Sequence, residues 1–492
     1  MFKFNSRNGE ANENKRSITE INEKIRKGDA QVLTAEEMKK LVANSGVEVA
    51  FKEVDVVTTG TFGAMCSSGA VINLGHSDPP IKINKAWIND VEVCHPGAAV
   101  DLFIGATCQS EDGSLEYGGG HVIEDLVRGK EVELRATGRG TDCYPRTSLR
   151  TTITKDDLNQ FYLINFRNCY QHYNCATNST EKTLYTYMGK LLPQFRNASF
   201  SGAGELNPLM NDPAYETIGI GTRIFLGGGK GYVIGEGTQH DPANSFGTLM
   251  VRGDCKEMNP DFLRGATFSK YGTTLYVGVG IPIPILNEKL AQTTSITDAD
   301  ILTNMVDYGV PRRDRPKLGK VSYRDLKSGT ISVQDRKVAV SSLSSLKTAR
   351  KIAETLKTWI ENASFYLSAP AERLPSDTVF KPMSPSRVGG VDILSGELVK
   401  KSSMIPEAKT KKIAHGSKRT VEVDQKACIH CGACVSLCPQ KTISLTEEGS
   451  VYFDKQKCDA CGACVDSCPV RALHLDRSVE ASPRINRTQE RH

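Results

Sequence analysis

The spacing of apolar residues predicts helices at three places along the chain. The segment SITEINEKIRKG, from Ser17, has apolar residues at helical spacing behind a Ser-x-x-Glu capping pattern. A second helix is predicted to begin at Thr34 and to end at Gly46. Residues 340–363 repeat the amphipathic pattern behind a serine-rich start. These patterns predict two helices near the N-terminus and one long helix late in the chain.

Between residues 47 and 275, short runs of β-branched and apolar residues alternate with glycine-rich turns. The runs are VEVAFKEVDVVTTG, IKINKAWINDVEV, VELRATG, TRIFLGGG and GYVIGEG. Such runs are typical of short strands. Together with the helices, they predict an α+β fold with a large mixed main domain of short strands and helices.

An internal repeat separates the end of the chain from the rest. EVDQKACIHCGACVSLCPQKTISL and YFDKQKCDACGACVDSCPVRALHL match at an offset of 30 residues. The predicted organisation is a flexible leader (1–16), a main domain (17–376), a linker that is basic at its end (377–420), a small repeat module (421–478) and a tail (479–492).

Each half of the repeat has the cysteine spacing C-x2-C-x2-C-x3-C-P. Bacterial two-cluster ferredoxins have this spacing, and the fourth cysteine of each run binds the other cluster. The first predicted 4Fe–4S cluster has the ligands Cys428, Cys431, Cys434 and Cys468. The second has Cys458, Cys461, Cys464 and Cys438. Zinc knuckles fit poorly, because they use four ligands in two separated pairs. We therefore expect a ferredoxin-like α+β module with two 4Fe–4S clusters.

Composition and charge exclude several classes of protein. The 492 residues have a net charge of only +5, which does not indicate a nucleic-acid partner. The longest apolar stretch is shorter than the roughly 20 residues that a membrane helix needs. The polar N-terminus lacks the apolar core of a signal peptide, so we expect a cytoplasmic protein without a membrane partner. In a reducing compartment, the 15 cysteines point to metal binding or catalysis.

Two cysteines outside the repeat have settings that suit chemistry. Cys66 follows an apolar run and lies among glycine, serine and threonine residues. Cys143 lies in ATGRGTDCYPRTS, between Arg139 and Arg146. The thiolate is the nucleophilic form of cysteine, and nearby cations lower the pKa of a thiol. Both are candidate catalytic residues, with an ordinary buried thiol as the alternative.

Four segments resemble the homocysteine biosynthesis family, also called methanogenesis marker protein 16. They are VDVVTTGTFGAMCSSGAVINLGHSDPPIK, GRGTDCYPR, GTRIFLGGGKGYVIGEGTQH and DYGVPRRDRPKLG. The resemblance covers about residues 17–376. It implies L-aspartate semialdehyde sulfurtransferase activity, which forms L-homocysteine from the semialdehyde, a sulfur donor and a low-potential electron donor. The family's persulfide-carrying cysteine corresponds to Cys143, and its second key cysteine to Cys66. Many members work with a separate ferredoxin-type protein, whereas here two cluster motifs are fused to the chain.

Two routes to the product stay open at this point. In one, a persulfide on Cys143 attacks the aldehyde carbon, and loss of water and two-electron reduction release homocysteine. In the other, Cys66 attacks the persulfide, sulfide leaves, and the clusters reduce the resulting disulfide. The substrate carboxylate favours a bidentate guanidinium, for which the candidates are Arg139, Arg146 and Arg223.

Two other functions fit parts of the sequence. One is an electron-transfer or iron–sulfur scaffold protein whose large domain only binds a partner. The other is a different cluster-linked reductase that binds a nucleotide at the glycine-rich stretch Gly219–Gly237. Tight turns between short strands are the simpler reading of that stretch, because it matches neither the P-loop nor the dinucleotide fingerprint.

Overall fold

The computed structural model describes residues 16–93, 98–310, 315–381 and 421–475. Nearly all of the predicted leader and linker, including the basic residues, and the whole predicted tail lie outside the described residues. Within the described residues, no helix is both long enough and apolar enough to cross a membrane.

The first two helices of the main domain confirm the predicted helix starts. The hydroxyl of Ser17 accepts the backbone N–H of Glu20, and the Glu20 carboxylate accepts the N–H of Ser17. Thr34 and Glu37 form the same reciprocal cap. The helices that the structure describes are α1 (Ile18–Lys27), α2 (Ala35–Ser45), α3 (Val47–Glu53), α4 (Gly119–Val127), α5 (Pro208–Asn211), α6 (Glu288–Thr293), α7 (Tyr323–Lys327) and α8 (Leu346–Glu361).

The strands of the main domain are short, as the alternating runs predict. They are β1 (Val32–Thr34), β2 (Val56–Thr58), β3 (Thr61–Ala64), β4 (Ser68–Asn73), β5 (Ile83–Ile88), β6 (Val91–Glu92), β7 (Asp101–Gly105), β8 (Val132–Gly138), β9 (Ser148–Ile153), β10 (Gln160–Asn168), β11 (Cys175–Thr177), β12 (Leu184–Thr186), β13 (Gly189–Leu191), β14 (Asn197–Phe200), β15 (Gly219–Ile220), β16 (Arg223–Leu226), β17 (Gly229–Glu236), β18 (Leu249–Asp254), β19 (Leu263–Phe268), β20 (Gly272–Gly280), β21 (Pro282–Pro284), β22 (Leu302–Asp307), β23 (Lys317–Ser322), β24 (Thr330–Val333), β25 (Arg336–Ser342) and β26 (Glu372–Arg373).

One predicted strand is wrong. The alternation in VEVAFKE predicts β structure, but the structure has helix α3 there. The same residues also satisfy helical spacing, because Val47, Ala50 and Phe51 are three and four positions apart. Burial of Ala50 and Phe51 favours the helix, which packs against α2 and α6. In a segment of seven residues, the spacing of apolar residues alone does not distinguish a strand from a helix.

Two sheets build the centre of the main domain. The larger has the strand order β19-β20-β16-β17-β18-β10-β4-β7, and β3 also pairs with β20. The second has the order β23-β22-β11-β14-β25-β24. Helix α8 packs on β20 and β3, and every residue of β20 is buried. A separate four-stranded sheet, β6-β5-β8-β9, lies beside them. These elements confirm the α+β class.

The C-terminal module consists of two small antiparallel ribbons. Strand β27 (Val421–Val423) pairs with β30 (Leu473–Leu475), and β28 (Ile443–Leu445) pairs with β29 (Val451–Phe453). The helical segments of its described part are single 3₁₀ turns at Val435–Leu437 and Lys455–Lys457.

The module is docked on the main domain. The Ser436 hydroxyl lies 2.8 Å from that of Ser341, and the backbone N–H of Thr267 donates to the carbonyl of Pro469 at 2.8 Å. On the apolar side, Ile429, Cys431 and Ala433 belong to one buried cluster with Phe62 and Tyr276 of the main domain. Removing the module would therefore expose part of the main-domain core to water.

Candidate active site

Cys66 lines a cavity between the two large sheets. It lies in the turn between β3 and β4 and is half-buried. The cavity has a volume of about 500 Å³. Its chemically active lining residues come from several distant segments: Cys66, Arg167, Tyr170, Tyr173, Tyr187, Tyr271, Tyr308, Arg315 and Lys317. A volume of this size accommodates a small metabolite.

Burial dominates the electrostatics of Cys66. It raises the pKa of the Cys66 thiol, while the Thr274 hydroxyl, the backbone N–H of Cys66 and the Arg167 guanidinium act in the opposite direction. The thiol form therefore prevails at neutral pH. A reaction that uses the Cys66 thiolate needs a base or an anion-stabilising neighbour at the moment of attack.

The raised pKa predicts how Cys66 reacts with iodoacetamide. The alkylation rate should increase with pH along a curve whose midpoint lies above that of the same cysteine in urea-unfolded protein, because only the thiolate reacts. Arg167→Gln should move the midpoint further up, since the Arg167 cation lowers this pKa. Mass spectrometry of the Cys66 peptide measures both curves. A native midpoint at or below the unfolded value would contradict the effect of burial.

Tyrosine rings form much of the cavity wall. The rings of Tyr170 and Tyr173 meet edge to face at 4.8 Å, and the hydroxyls of Tyr187 and Tyr308 lie 2.9 Å apart. Burial raises the pKa of Tyr170 to about 12 and that of Tyr173 well above its usual value. These phenols therefore stay neutral. Their ring faces attract an ammonium group, and their hydroxyls donate hydrogen bonds to a carbonyl oxygen.

The cavity is cationic. Arg167 donates to the side-chain oxygen of Gln239, and the Arg315 guanidinium lies 4.0 Å from the centre of the Tyr308 ring. The Nε atoms of both arginines are buried and have no hydrogen-bond partner. None of the lining residues that the structure describes is acidic. This combination suits a ligand with a carboxylate.

Cys143 lies outside this cavity. It is exposed in the hairpin loop between β8 and β9, with the Thr141 hydroxyl 3.7 Å from its sulfur. Arg139 is exposed in the same loop. Arg146 donates to the backbone carbonyls of Asp78 and Pro79, at 2.6 and 2.9 Å. The loop therefore presents Cys143 to the surface.

The structure does not bring Cys66 and Cys143 together. Cys66 lies two residues before the start of β4, whereas the Cys143 loop contacts the segment after β4, where the Tyr144 ring lies 5.8 Å from that of His76. At about 3.3 Å per residue, the six residues of β4 alone place roughly 20 Å between the turn of Cys66 and the segment that the Cys143 loop contacts. Direct reaction between them in one chain requires the hairpin loop to move.

Arg223 does not line the Cys66 cavity either. It starts β16, where its guanidinium donates to the carbonyl of Tyr366 at 3.4 Å. The glycine-rich stretch around it forms β15, β16, β17 and their turns. In the turn after β16, Gly227 and Gly228 adopt φ values of +60° and +95°. The arginines that line the cavity are Arg167 and Arg315, and the sequence analysis did not identify either of them as a candidate for binding the substrate carboxylate.

The module brings together the two predicted sets of cysteines. One small cavity is lined by Cys428, Cys431, Cys434 and Cys468, three from the first run and one from the second. The other four form a second group, in which Cys438, Cys461 and Cys458 raise the pKa of the Cys464 thiol. Each set thus exchanges its fourth cysteine with the other, as in two-cluster ferredoxins.

The backbone conformation around these sulfurs repeats at the same offset as the sequence. Positive φ angles recur at an offset of 30 residues, in the pairs His430 and Ala460, Gly432 and Gly462, and Lys441 and Arg471. Backbone N–H groups point at sulfur, for example from Ala472 to Cys468 at 3.1 Å and from Ala460 to Cys458 at 3.3 Å. Such N–H donors stabilise iron-bound thiolates.

The cysteine sets fit 4Fe–4S clusters better than single metal ions. Among the described residues, no group of three or more ligand side chains is close enough to hold one ion. A cubane places its four thiolates on four different irons, so they need not converge. Burial raises the pKa of Cys431 to about 12, so that a cation such as iron is needed to keep it as a thiolate.

Comparison with known proteins finds a family match for each of the two parts of the chain. Residues 30–367 match a family described as homocysteine biosynthesis enzyme, sulfur-incorporation, and residues 427–472 match the 4Fe-4S dicluster domain. L-aspartate semialdehyde sulfurtransferase of Methanosarcina acetivorans is 54% identical over 400 residues, which cover 80% of each chain. The protein of that name from Methanocaldococcus jannaschii is 56% identical over 395 residues, 77% of each chain. No solved structure matches the chain.

Proposed function

Since the chain belongs to the homocysteine biosynthesis family of sulfur-incorporating enzymes, we propose that it forms L-homocysteine from L-aspartate semialdehyde. With a sulfide-level sulfur donor the reaction consumes two electrons, and with a persulfide or polysulfide donor it consumes four. The observation that carries the proposal is the cavity at Cys66, where a thiol, two arginines and a wall of tyrosines meet.

The cavity residues match the groups of this substrate. The guanidinium groups of Arg167 and Arg315 bind the carboxylate, and the tyrosine rings hold the ammonium group. The hydroxyls of Tyr187 and Tyr308 donate to the aldehyde oxygen and stabilise the negative charge that grows there during attack on the carbon.

The net reaction balances with sulfide as the sulfur source. The aldehyde oxygen leaves as water, sulfur takes its place, and two electrons with two protons convert the carbon–sulfur double bond into a thiol. If the sulfur arrives as a persulfide, two further electrons are needed to break its S–S bond. When bound, the two clusters supply electrons of low potential one at a time.

Cys143 is proposed to take up sulfur at the surface by exchange with a persulfide or polysulfide donor, whose remaining thiol or shortened polysulfide leaves, and Cys66 to receive that sulfur in the cavity. Attack of the Cys66 thiolate on the outer sulfur of a Cys143 persulfide exchanges one S–S bond for another and consumes no electrons. The exchange requires the hairpin loop of Cys143, from this chain or a second copy, to reach the mouth of the cavity. The outer sulfur on Cys66 then attacks the aldehyde carbon.

The direct test is an anaerobic assay of the full chain after reconstitution with iron and sulfide. L-aspartate semialdehyde, sulfide and a low-potential reductant should give homocysteine, quantified by mass spectrometry. Propanal replaces the substrate in a control, because it has the aldehyde but neither charged group. Consumption of reductant without homocysteine would instead favour a different cluster-linked reductase.

Arg315→Gln should raise KM for L-aspartate semialdehyde by about 10- to 100-fold, since a charge-assisted hydrogen bond is worth about 1.5–3 kcal/mol. Arg167→Gln should do the same and also slow Cys66 alkylation. The matched controls are Arg139→Gln, Arg146→Gln and Arg223→Gln, which alter arginines outside the cavity and should leave KM within about 2-fold. The assignment fails if KM rises in the controls and not in Arg315→Gln.

A further inference from the structure

Strand β20 contacts both the sulfur of Cys66 and the sulfur of Cys431. Thr274 and Tyr276 are two residues apart on this strand, so their side chains leave the same face. The Thr274 hydroxyl faces the Cys66 sulfur, and the Tyr276 hydroxyl faces the Cys431 sulfur. Both residues are fully buried, and neither hydroxyl has a hydrogen-bond partner of normal geometry.

Tyr276 is the point where the module meets the cavity side of the main domain. Tyr276 packs in one buried cluster with Cys431 of the module and with Tyr308 and Leu343, which line the cavity. Its ring lies 5.5 Å from that of Phe62, and its strand partner Ala64 lines the cavity. Cys431 and Cys468 both belong to the set of the first cluster.

The set of the second cluster lies outside this contact. Cys438, Cys458 and Cys464 pack in the module's own apolar cluster and Cys461 is exposed, whereas Cys431 of the first set packs in the same cluster as Tyr276. The two clusters are therefore not equivalent with respect to the cavity.

We infer that the cluster held by Cys428, Cys431, Cys434 and Cys468 is the one that exchanges electrons with the Cys66 cavity, and that the Tyr276 hydroxyl donates a hydrogen bond to the Cys431 sulfur. Tyr276 is a positioning residue, which keeps its proton and is not oxidised. We call this the inner cluster, and the one held by Cys458, Cys461, Cys464 and Cys438 the outer cluster. The electron source is an external one-electron donor of low potential, which reduces the outer cluster. The electron route rests on the proposed function, whereas the hydrogen bond does not.

The unpartnered hydroxyl is the observation that points to a bound cluster. An iron-bound thiolate is anionic, and it is the acceptor that the buried Tyr276 hydroxyl lacks. Hydrogen bonds to the sulfurs of a cluster raise its reduction potential, because they stabilise the additional negative charge of the reduced state. Removal of this hydroxyl should make the inner cluster harder to reduce.

The test is a redox titration of the reconstituted full chain, followed by electron paramagnetic resonance. In Tyr276→Phe, the midpoint potential of the inner cluster should shift to a more negative value, and that of the outer cluster should stay unchanged. The ring and its packing against Phe62 are kept, so only the hydroxyl is lost. Tyr452→Phe is the matched control, because Tyr452 belongs to the module and is 58% exposed. Cys461→Ala, which removes a ligand of the outer cluster, identifies the signal of the inner one.

A second measurement detects the hydroxyl proton itself, by comparing the unaltered protein with Tyr276→Phe. After exchange into deuterated water under partly denaturing conditions and refolding, the reduced inner cluster should show coupling to one exchangeable deuteron that is missing in Tyr276→Phe. If the midpoint potential of the inner cluster and its deuteron coupling are both the same in Tyr276→Phe as in the unaltered chain, the proposed hydrogen bond is wrong. Neither measurement needs substrate, so a failed homocysteine assay and a failed titration remain distinguishable.

Discussion

Replacing Cys66 by alanine is expected to lower homocysteine formation by at least about 1000-fold, as is usual when the nucleophile of an active site is removed. Cys66 is the thiol that lines the cavity, and alanine offers no sulfur that can attack, accept or release a sulfur atom. The assay is homocysteine formation by the reconstituted chain at saturating semialdehyde. The visible absorbance of the clusters should stay unchanged, because their ligands lie in the C-terminal module.

The matched control for this variant is Cys255→Ala. Cys255 is fully buried in the core of the main domain and is not part of the cavity lining. Its replacement should lower the free energy of unfolding by about 1 kcal/mol, through the lost packing of one small side chain, and leave turnover nearly normal. Equal activity in the two variants would remove Cys66 from the mechanism.

The second large effect is expected from Cys143→Ser. With a limiting sulfur donor, the variant should lose at least about 100-fold in homocysteine formation, because a hydroxyl cannot form a persulfide. After loading with polysulfide, which transfers sulfane sulfur to a thiolate without an oxidant, mass spectrometry should find one added sulfur atom on the Cys143 peptide of the unaltered chain. In Cys66→Ala that sulfur should still be present, since Cys143 is exposed and loads without the cavity.

Thr147→Ala is the control for the Cys143 loop. Thr147 is exposed in the same hairpin loop and contributes no thiol, so loading and turnover should stay normal. If Cys143→Ser keeps near-normal output at limiting donor, Cys143 is not the sulfur carrier. Free sulfide that enters the Cys66 cavity directly is then the better mechanism.

Local signals explain what the sequence could predict. The cluster ligands follow a short spacing rule, and the structure brings both sets together, including the exchanged Cys438 and Cys468. The helices α1 and α2 begin at the capping residues Ser17 and Thr34 for the same reason. Caps and cysteine turns act within a few residues, so a linear reading captures them.

The cavity depends on contacts that no linear reading supplies. Cys66, Arg167 and Arg315 are far apart along the chain and meet only because two sheets enclose them. Arg139 and Arg146 stand beside Cys143 in sequence, yet neither lines the Cys66 cavity. A usable signal was present in the segment from Arg167 to Tyr173, where an arginine precedes two tyrosines, and in the run DYGVPRRDRPKLG, which contains Arg315.

Strand β4 has a consequence for the order in which partners act. Cys66 and the docked module lie toward one end of the strand, and the exposed Cys143 loop lies toward the other. A sulfur donor at Cys143 and an electron donor at the outer cluster would therefore occupy separate surfaces. They would not compete, so neither would have to dissociate before the other could bind, and in steady-state kinetics neither donor would inhibit the other.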